Sequence, residues 1–377
     1  MKNSFQILYV FGHGRKNKIV NKSYEAKDFF YGYLYLKEKY SIEIVEPKTD
    51  SLNTNFVNFL FNKLLTIYDK IIIKLTSFPS YSNEMISKLN LKKYFKSDVI
   101  VFTSDVLYIS FLPIILCSKL FMKNKKVLVI TMGLFGKKTE SKLKKALNFY
   151  FFKILLAMSD KFIFLGYGEY QHASQNYKKH INKFFFLPFN IDTEFWSSDK
   201  NFARDGVLFV GNDGKRDFKF LEELASKMKN VKFTFITSHE FSTKLNNVDY
   251  KKGNWSKNLI SDTELKKYYL SAKLVIVPLK NSFQPSGQSV GLQAISTNTP
   301  LLITKTDGFW GDTKFLNSSK VNFVDVNNIN LWEEKINLIL NKFENFQLED
   351  YKLKEFNKNY NIDVFNMILE EQLKENF

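Results

Sequence analysis

The chain reads as α/β: two parallel-sheet units in tandem, each sheet covered by helices on both faces. Two observations predict this. Short unbroken apolar runs alternate with longer stretches of helical spacing through residues 1–196, and after a polar break the same alternation restarts. Length agrees, since 377 residues divide into two domains more readily than one or three.

In the first unit, 1–196, strands are expected at 5–11 (FQILYVF), 42–45 (IEIV), 70–74 (KIIIK), 98–103 (DVIVFT), 126–131 (KVLVIT), 161–165 (KFIFL) and 183–187 (KFFFL). Such runs lack polar alternation, which marks strands buried on both faces. Right-handed helical crossovers should join them. The stretch 197–206, SSDKNFARDG, is polar and reads as the linker. The second unit, 207–362, has expected strands at 207–210, 231–236, 274–278, 301–304 and 321–324. Its expected helices are 217–228, 262–272, 289–297 and 331–342, and 363–377 reads as a closing helix.

Composition narrows the function. The balance of 45% hydrophobic and 25% charged residues excludes a disordered or collagen-like chain. The lone cysteine, Cys117, can form no internal disulfide and reads as a small core residue. The net charge is +17, yet only Arg15, Arg204 and Arg216 are arginine; the other cations are lysine. Lysine, asparagine and phenylalanine abundance matches AT-rich codons, and the excess charge also suits acidic substrates or an anionic membrane. No nucleic-acid module is visible, so no nucleic-acid partner is expected. The N-terminus shows no secretory signal. The longest uncharged apolar stretch, 106–118, is too short to span a bilayer and contains Pro113. The expectation is a cytoplasmic protein. The basic, then apolar, stretch 137–158 fits either packing on its own sheet or peripheral contact at the inner face of an anionic membrane.

Open parallel sheets bind ligands at the carboxyl ends of their strands, and two facing sheets enclose a cleft. The glycines gather there: Gly12 and Gly14 after the first strand, Gly133 and Gly136 after 126–131, Gly211 and Gly214 after 207–210, and Gly287 before a helix. His13 stands where it would reach the cleft, although a turn role fits equally. The segment QPSGQSVGLQAISTNTPLLIT, 284–304, is the most informative. Gly287, Gln288, Ser289 and Val290 open a helix whose free N–H groups and positive dipole end suit an anion. Gln293 follows Ser289 by one turn, so both would face one ligand. Asn298 tolerates the left-handed turn that ends the helix, and Pro300 blocks continuation. The four histidines lack metal-ligand spacing, so no metal or cofactor is expected.

This segment resembles the nucleotide-sugar-binding stretch of GT-B glycosyltransferases, above all the retaining, family-4-like group of glycogen-synthase-like and bacterial surface-polysaccharide enzymes. LQAISTNTP, 292–300, matches the end of that pattern, with Gln293 at the second glutamate position and Asn298 at the glycine. Pro285 stands at the first glutamate position, so the two-glutamate signature is absent. VLFVGNDGKRDFKFLEELA, 207–225, is similar to the start of the donor domain, with Gly211-Asn212 replacing a Gly-Arg pair. KKGNW, 251–255, sits at the base-binding loop, and FLPFNIDTEFW, 186–196, resembles the interdomain segment.

The resemblance implies two Rossmann-like domains facing a central cleft, nucleotide sugar on the second and acceptor on the first. Lys215 and Arg216 would clamp the diphosphate as the catalytic cations. Gly12, Gly211 and Asn212 would line the donor site, Gly253 and Trp255 would flank the base, and Gln293 would bond the ribose. His13 and Gly133 would lie on the acceptor side. The implied activity is metal-independent transfer from a nucleotide-diphosphate sugar to a glycan or lipid-linked acceptor, with retention, in bacterial surface polysaccharide or glycoconjugate synthesis. A nucleotide-sugar epimerase and a non-enzymatic basic binding protein are the other readings.

Overall fold

Each half of the chain is built on a six-stranded, wholly parallel sheet. The computed structural model describes residues 5–47, 56–121, 125–137, 141–257 and 259–375. The first sheet holds β1 (Gln6–Val10), β2 (Ser41–Val45), β3 (Val99–Phe102), β4 (Lys126–Thr131), β5 (Lys161–Phe164) and β6 (Phe184–Phe186), in the order β2-β1-β3-β4-β5-β6. The second holds β7 (Val207–Val210), β8 (Phe233–Ile236), β9 (Val248–Lys251), β10 (Leu274–Val277), β11 (Leu301–Thr304) and β12 (Val321–Val324), in the order β12-β11-β10-β7-β8-β9. Strand order therefore reverses between β1 and β3 in one sheet and between β7 and β10 in the other. Those switch points are where such sheets open a crevice.

Alternation along the strands explains the burial on both faces. Leu8, Val10, Ile100, Phe102, Val127 and Val129 enter one apolar layer. Ile7, Tyr9, Val101 and Ile130 enter another, which continues into the second half through Leu208, Val275, Val277 and Ile303. Phe209, Phe235 and Ile276 fill a third. Each such side chain removed from water contributes about 1.5–3 kcal/mol.

Three expectations are corrected. Residues 70–74 are not a strand but the end of a 21-residue helix, Phe56–Thr76. No glycine or proline interrupts that helix, and its isoleucines divide between an inward and an outward face. The short strand β9 escaped detection because it is an edge strand, VDYK, with polar alternation. Cys117 is exposed, on the outer side of the helix Asp105–Phe121. That helix also accommodates Pro113: the carbonyl of Ile109, four residues back, accepts 2.9 Å from the Tyr68 hydroxyl instead.

The segment 197–206 carries no helix or strand. The closing helix, Ile362–Lys374, returns to the first half. There Glu370 accepts from Lys39 (2.7 Å), Tyr35 (2.9 Å) and Tyr40 (3.0 Å). Residues 138–140 of the basic stretch and 376–377 of the closing helix lie outside the described residues.

Candidate functional site

The crevice of the second sheet is made by two loops, one after β7 and one after β10. They are stitched together. Arg216 forms an antiparallel bridge with Leu279, Asp217 N–H donates to Pro278 O (3.0 Å), and Lys280 N–H donates to Lys215 O (2.8 Å). This pairing carries Arg216 to the start of the helix Gln288–Ser296.

Two glycines admit the guanidinium. A Cβ on Gly211 would stand 2.1 Å from Arg216 Nε, and one on Gly287 would stand 3.1 Å from Nη1. Gly287 also holds φ +81°, which only glycine adopts easily. Among the described residues no side chain caps the helix start, so its first N–H groups are not taken up by a side chain. Arg216 is 3% exposed, and its Nε and Nη1 have no hydrogen-bond partner among the described residues. Asp213 Oδ2 lies 3.5 Å from Nε, a Coulombic contact only. Burial lowers the Arg216 pKa, with Asp213 opposing. A desolvated cation with unmet donors beside a helix N-terminus is complementary to a di-anion.

Lys215 lines a cavity of about 600 Å³ between the halves. The loops after β3 and β4 supply Asp105, Gly133 and Lys137 to its wall, and the loop after β10 supplies Phe283 and Gln284. The carboxyl ends of both sheets thus face one space. Gly133, at φ +99°, lets the halves meet closely: its Cβ would lie 3.0 Å from Gln284 Cα. Asp105 was not singled out in the sequence. It is the first residue of the helix after β3, and burial pushes its carboxyl up to about 6, with nearby Lys137 opposing. Glu169, also unforeseen, is wholly buried behind the wall. It accepts from the N–H groups of Gly133 (2.8 Å) and Phe135 (3.0 Å), and burial raises its pKa to about 8. An acidic residue opening the helix just past an apolar strand was the available signal for Asp105.

Several expected ligand contacts prove to be internal. Gln293 is buried with both ends of its amide engaged: Nε2 donates to Asp28 Oδ2 (2.9 Å) and Oε1 accepts from the Tyr269 hydroxyl (3.1 Å). A direct ribose bond from Gln293 is replaced by a bond between the halves. Gln288 likewise donates to Leu165 O (2.7 Å) rather than facing the crevice. Asn212 ties three loops together, donating to Gly253 O (2.8 Å) and accepting from Thr237 and Ser238. Gly253 is buried, with Ile236 Cγ2 2.3 Å from its would-be Cβ.

Trp255 does not present an open ring face to a base. Phe29 packs on it at 4.9 Å, and Lys18 Nζ sits 4.6 Å from the ring centre. Gly12 and exposed His13 lie in the turn after β1. The next residue, Gly14, abuts Ser256, and neither Gly12 nor His13 lines the cavity. Ser289 is half-buried and Val290 buried at the helix start. Asn298 takes φ +54° after the helix, as expected of a glycine substitute.

Among the described residues, no three His, Cys, Asp or Glu side chains cluster to hold a metal, and no helix is long and apolar enough to cross a membrane. No protein-family model matches the chain, and no curated protein sequence matches it. Solved structures do. A glycosyltransferase from Rickettsia africae is 15% identical over 99% of both chains, with a TM-score of 0.63. HepE from Anabaena, solved with UDP-glucose, is 8% identical over 99% of this chain and 100% of its own, at 0.62. An α,α-trehalose 6-phosphate synthase from Burkholderia multivorans is 9% identical over 99% and 96%, at 0.64. Two six-stranded parallel sheets, meeting at their carboxyl ends along the full length of these neighbours, give this chain the GT-B glycosyltransferase fold.

Proposed function

We propose that the protein is a glycosyltransferase that moves a sugar from a nucleotide-diphosphate donor to a glycan or lipid-linked acceptor. One observation carries this: buried Arg216, two of its nitrogens without partners among the described residues, set against the uncapped start of the helix Gln288–Ser296. The unit 207–362 takes the nucleotide sugar and the unit 1–196 the acceptor, in the cavity bounded by Asp105, Gly133 and Lys137. The bond from the anomeric carbon to the diphosphate oxygen breaks, and a bond to an acceptor hydroxyl oxygen forms. Arg216, Lys215 and the N–H groups of 288–290 stabilise the charge growing on the diphosphate, in the role a metal ion fills elsewhere. The resemblance to retaining enzymes supports front-face attack, the hydroxyl proton passing to the departing phosphate. The same resemblance supports a cytoplasmic role in bacterial surface polysaccharide or glycoconjugate synthesis.

Asp105 favours a second reading of the stereochemistry. A carboxyl on the cavity wall, its pKa raised by burial, is placed to take the hydroxyl proton itself, which would make the reaction inverting. The anomeric configuration of the product, read by NMR, decides between them. The reading as a whole is tested by thermal shift against UDP, GDP and ADP, with CMP as the control. One diphosphate should raise the melting temperature in proportion to occupancy, by about 2.7 kcal/mol at a hundredfold excess over Kd. No shift with any of them removes the assignment.

A further inference from the structure

An exposed apolar surface lies on the first half. The helix Phe56–Thr76 turns Leu65 inward but leaves Leu60, Leu64, Ile67, Ile71 and Leu75 exposed. Their spacing of four, three, four and four places them in one straight stripe. Lys63, Lys70 and Lys74 run beside that stripe, on the same outer side. The helix Lys142–Met158 packs alongside and adds Phe149, Tyr150 and Ile154 to the exposed face, with Lys153 Nζ 4.4 Å from the Phe149 ring centre. Together the two helices carry seven lysines and one acidic residue, Asp69. Asp69 is buried and held by Ser80 (2.6 Å) and Ser82 (2.9 Å). Among the described residues of these two helices, the outer face is therefore apolar and cationic with no exposed carboxylate.

The face is continuous with the cavity. Ser77, directly after the first helix, bonds Lys144 of the second (2.8 Å) and Lys137 of the cavity wall. Phe78 and Pro79, the next two residues, line the cavity itself.

We propose that the outer faces of Phe56–Thr76 and Lys142–Met158 dock the protein on an anionic lipid bilayer, so that the cavity mouth meets an acceptor anchored in that bilayer. The acceptor clause rests on the transferase reading above; the docking does not. Charge selects this occupant. An apolar stripe flanked by lysines matches acyl chains beside anionic headgroups. A second copy of the chain would set lysine against lysine.

The test is co-sedimentation of the full chain with phosphatidylcholine vesicles, with and without phosphatidylglycerol, at low and high salt. The protein should pellet only with the anionic vesicles, less so at high salt. The triple change K63Q/K70Q/K74Q should weaken partition on the order of a hundredfold, taking about 1 kcal/mol per lysine. L64S/I67S/I71S should abolish it. Both variants replace exposed side chains, and unchanged thermal transitions verify their folding. Equal partition to neutral vesicles, or wild-type partition of both variants, overturns the docking. So does a dimer in sedimentation velocity that dissociates on L64S/I67S/I71S, which would assign the face to a second copy. A nucleotide shift without vesicle binding removes this inference alone. Vesicle binding without a nucleotide shift upholds the docking and removes the transferase reading.

Discussion

Arg204 and Arg216 stand on opposite sides of the second sheet's architecture. Arg204, at the end of the linker, donates to four acceptors: the carbonyls of Tyr269 (3.3 Å), Ala272 (3.1 Å) and Thr297 (2.8 Å), and the Thr299 hydroxyl (2.7 Å). Arg216, in the crevice, is more deeply buried, and its Nε and Nη1 have no such acceptor among the described residues. A desolvated guanidinium costs stability unless its donors are met. Arg204 is a staple whose partners are already present, whereas Arg216 is held by its surroundings at a cost that an incoming anion would offset. What separates a structural cation from a binding one is the accounting of its hydrogen bonds, not its burial.

The largest expected effects break that comparison directly. Arg216→Ala should lower turnover by a hundredfold or more, about 3 kcal/mol in the barrier. It should also erase the nucleotide thermal shift, while the unliganded protein keeps or gains stability. Arg204→Ala should do the reverse, costing about 2–3 kcal/mol of stability by orphaning buried carbonyls and leaving the nucleotide shift intact. Calorimetric unfolding of both variants, with and without nucleotide, reads all four quantities. Loss of stability in Arg216→Ala equal to that in Arg204→Ala would make both arginines staples.

Asp28 extends the contrast to carboxylates. It is buried where the first half, the interdomain segment and the helix Gln288–Ser296 meet. Asp192 N–H donates to Oδ1 (2.7 Å), and Trp196 Nε1 (2.7 Å) and Gln293 Nε2 (2.9 Å) donate to Oδ2. Burial nevertheless wins and pushes its pKa up to about 7. A raised carboxyl pKa means the folded state holds a proton that the unfolded chain, near its ordinary value of about 4, has already released. Stability should therefore fall as pH rises from about 4 to about 7, and to about 8 where Glu169 contributes. Urea unfolding across that range should show the slope, and Glu169→Gln should flatten its upper part. Gln293→Ala should cost about 2 kcal/mol of stability by removing a charged hydrogen bond and the acceptor of Tyr269. Its nucleotide affinity should stay near wild type. A tenfold weaker affinity at unchanged stability would return Gln293 to the ribose.

These residues also mark where sequence reasoning reached and where it stopped. Strands such as β3 and β4 are visible because parallel strands buried on both faces leave continuous apolar runs. The Ile71–Ile73 run imitates such a strand, and only the absence of turn residues across Phe56–Thr76 tells against it. Arg216 and Gly287 could be read together because each lies in the loop that follows a strand at the switch point. The Asp28–Gln293 bond could not, since the partners lie 265 positions apart and a buried amide looks the same in sequence as one facing a ligand. Asp105 had a signal of a different kind from the glycines and cations, an acid that opens the helix following an apolar strand.

Asp105→Asn sharpens the cavity side of the comparison at a smaller scale. It should lower kcat about tenfold with KM little changed if the reaction retains configuration, and far more if Asp105 takes the proton. Nucleotide binding should be unaffected either way, because Asp105 lies on the cavity wall of the first half while Arg216 belongs to the crevice of the second.

Trp255→Phe is the mildest test and separates two uses of an aromatic ring. Trp255 is enclosed by Phe29, Phe30, Arg15 and Lys18, all from the first half, so it acts as packing between the units. Phenylalanine keeps most of that contact and the cation–π geometry with Lys18. The expected loss is under about 1 kcal/mol in stability, with no change in the nucleotide concentration that half-saturates the thermal shift. Stacking on a base would instead appear as a weaker affinity at unchanged stability, because the smaller ring covers less of the base while the seam between the halves stays filled.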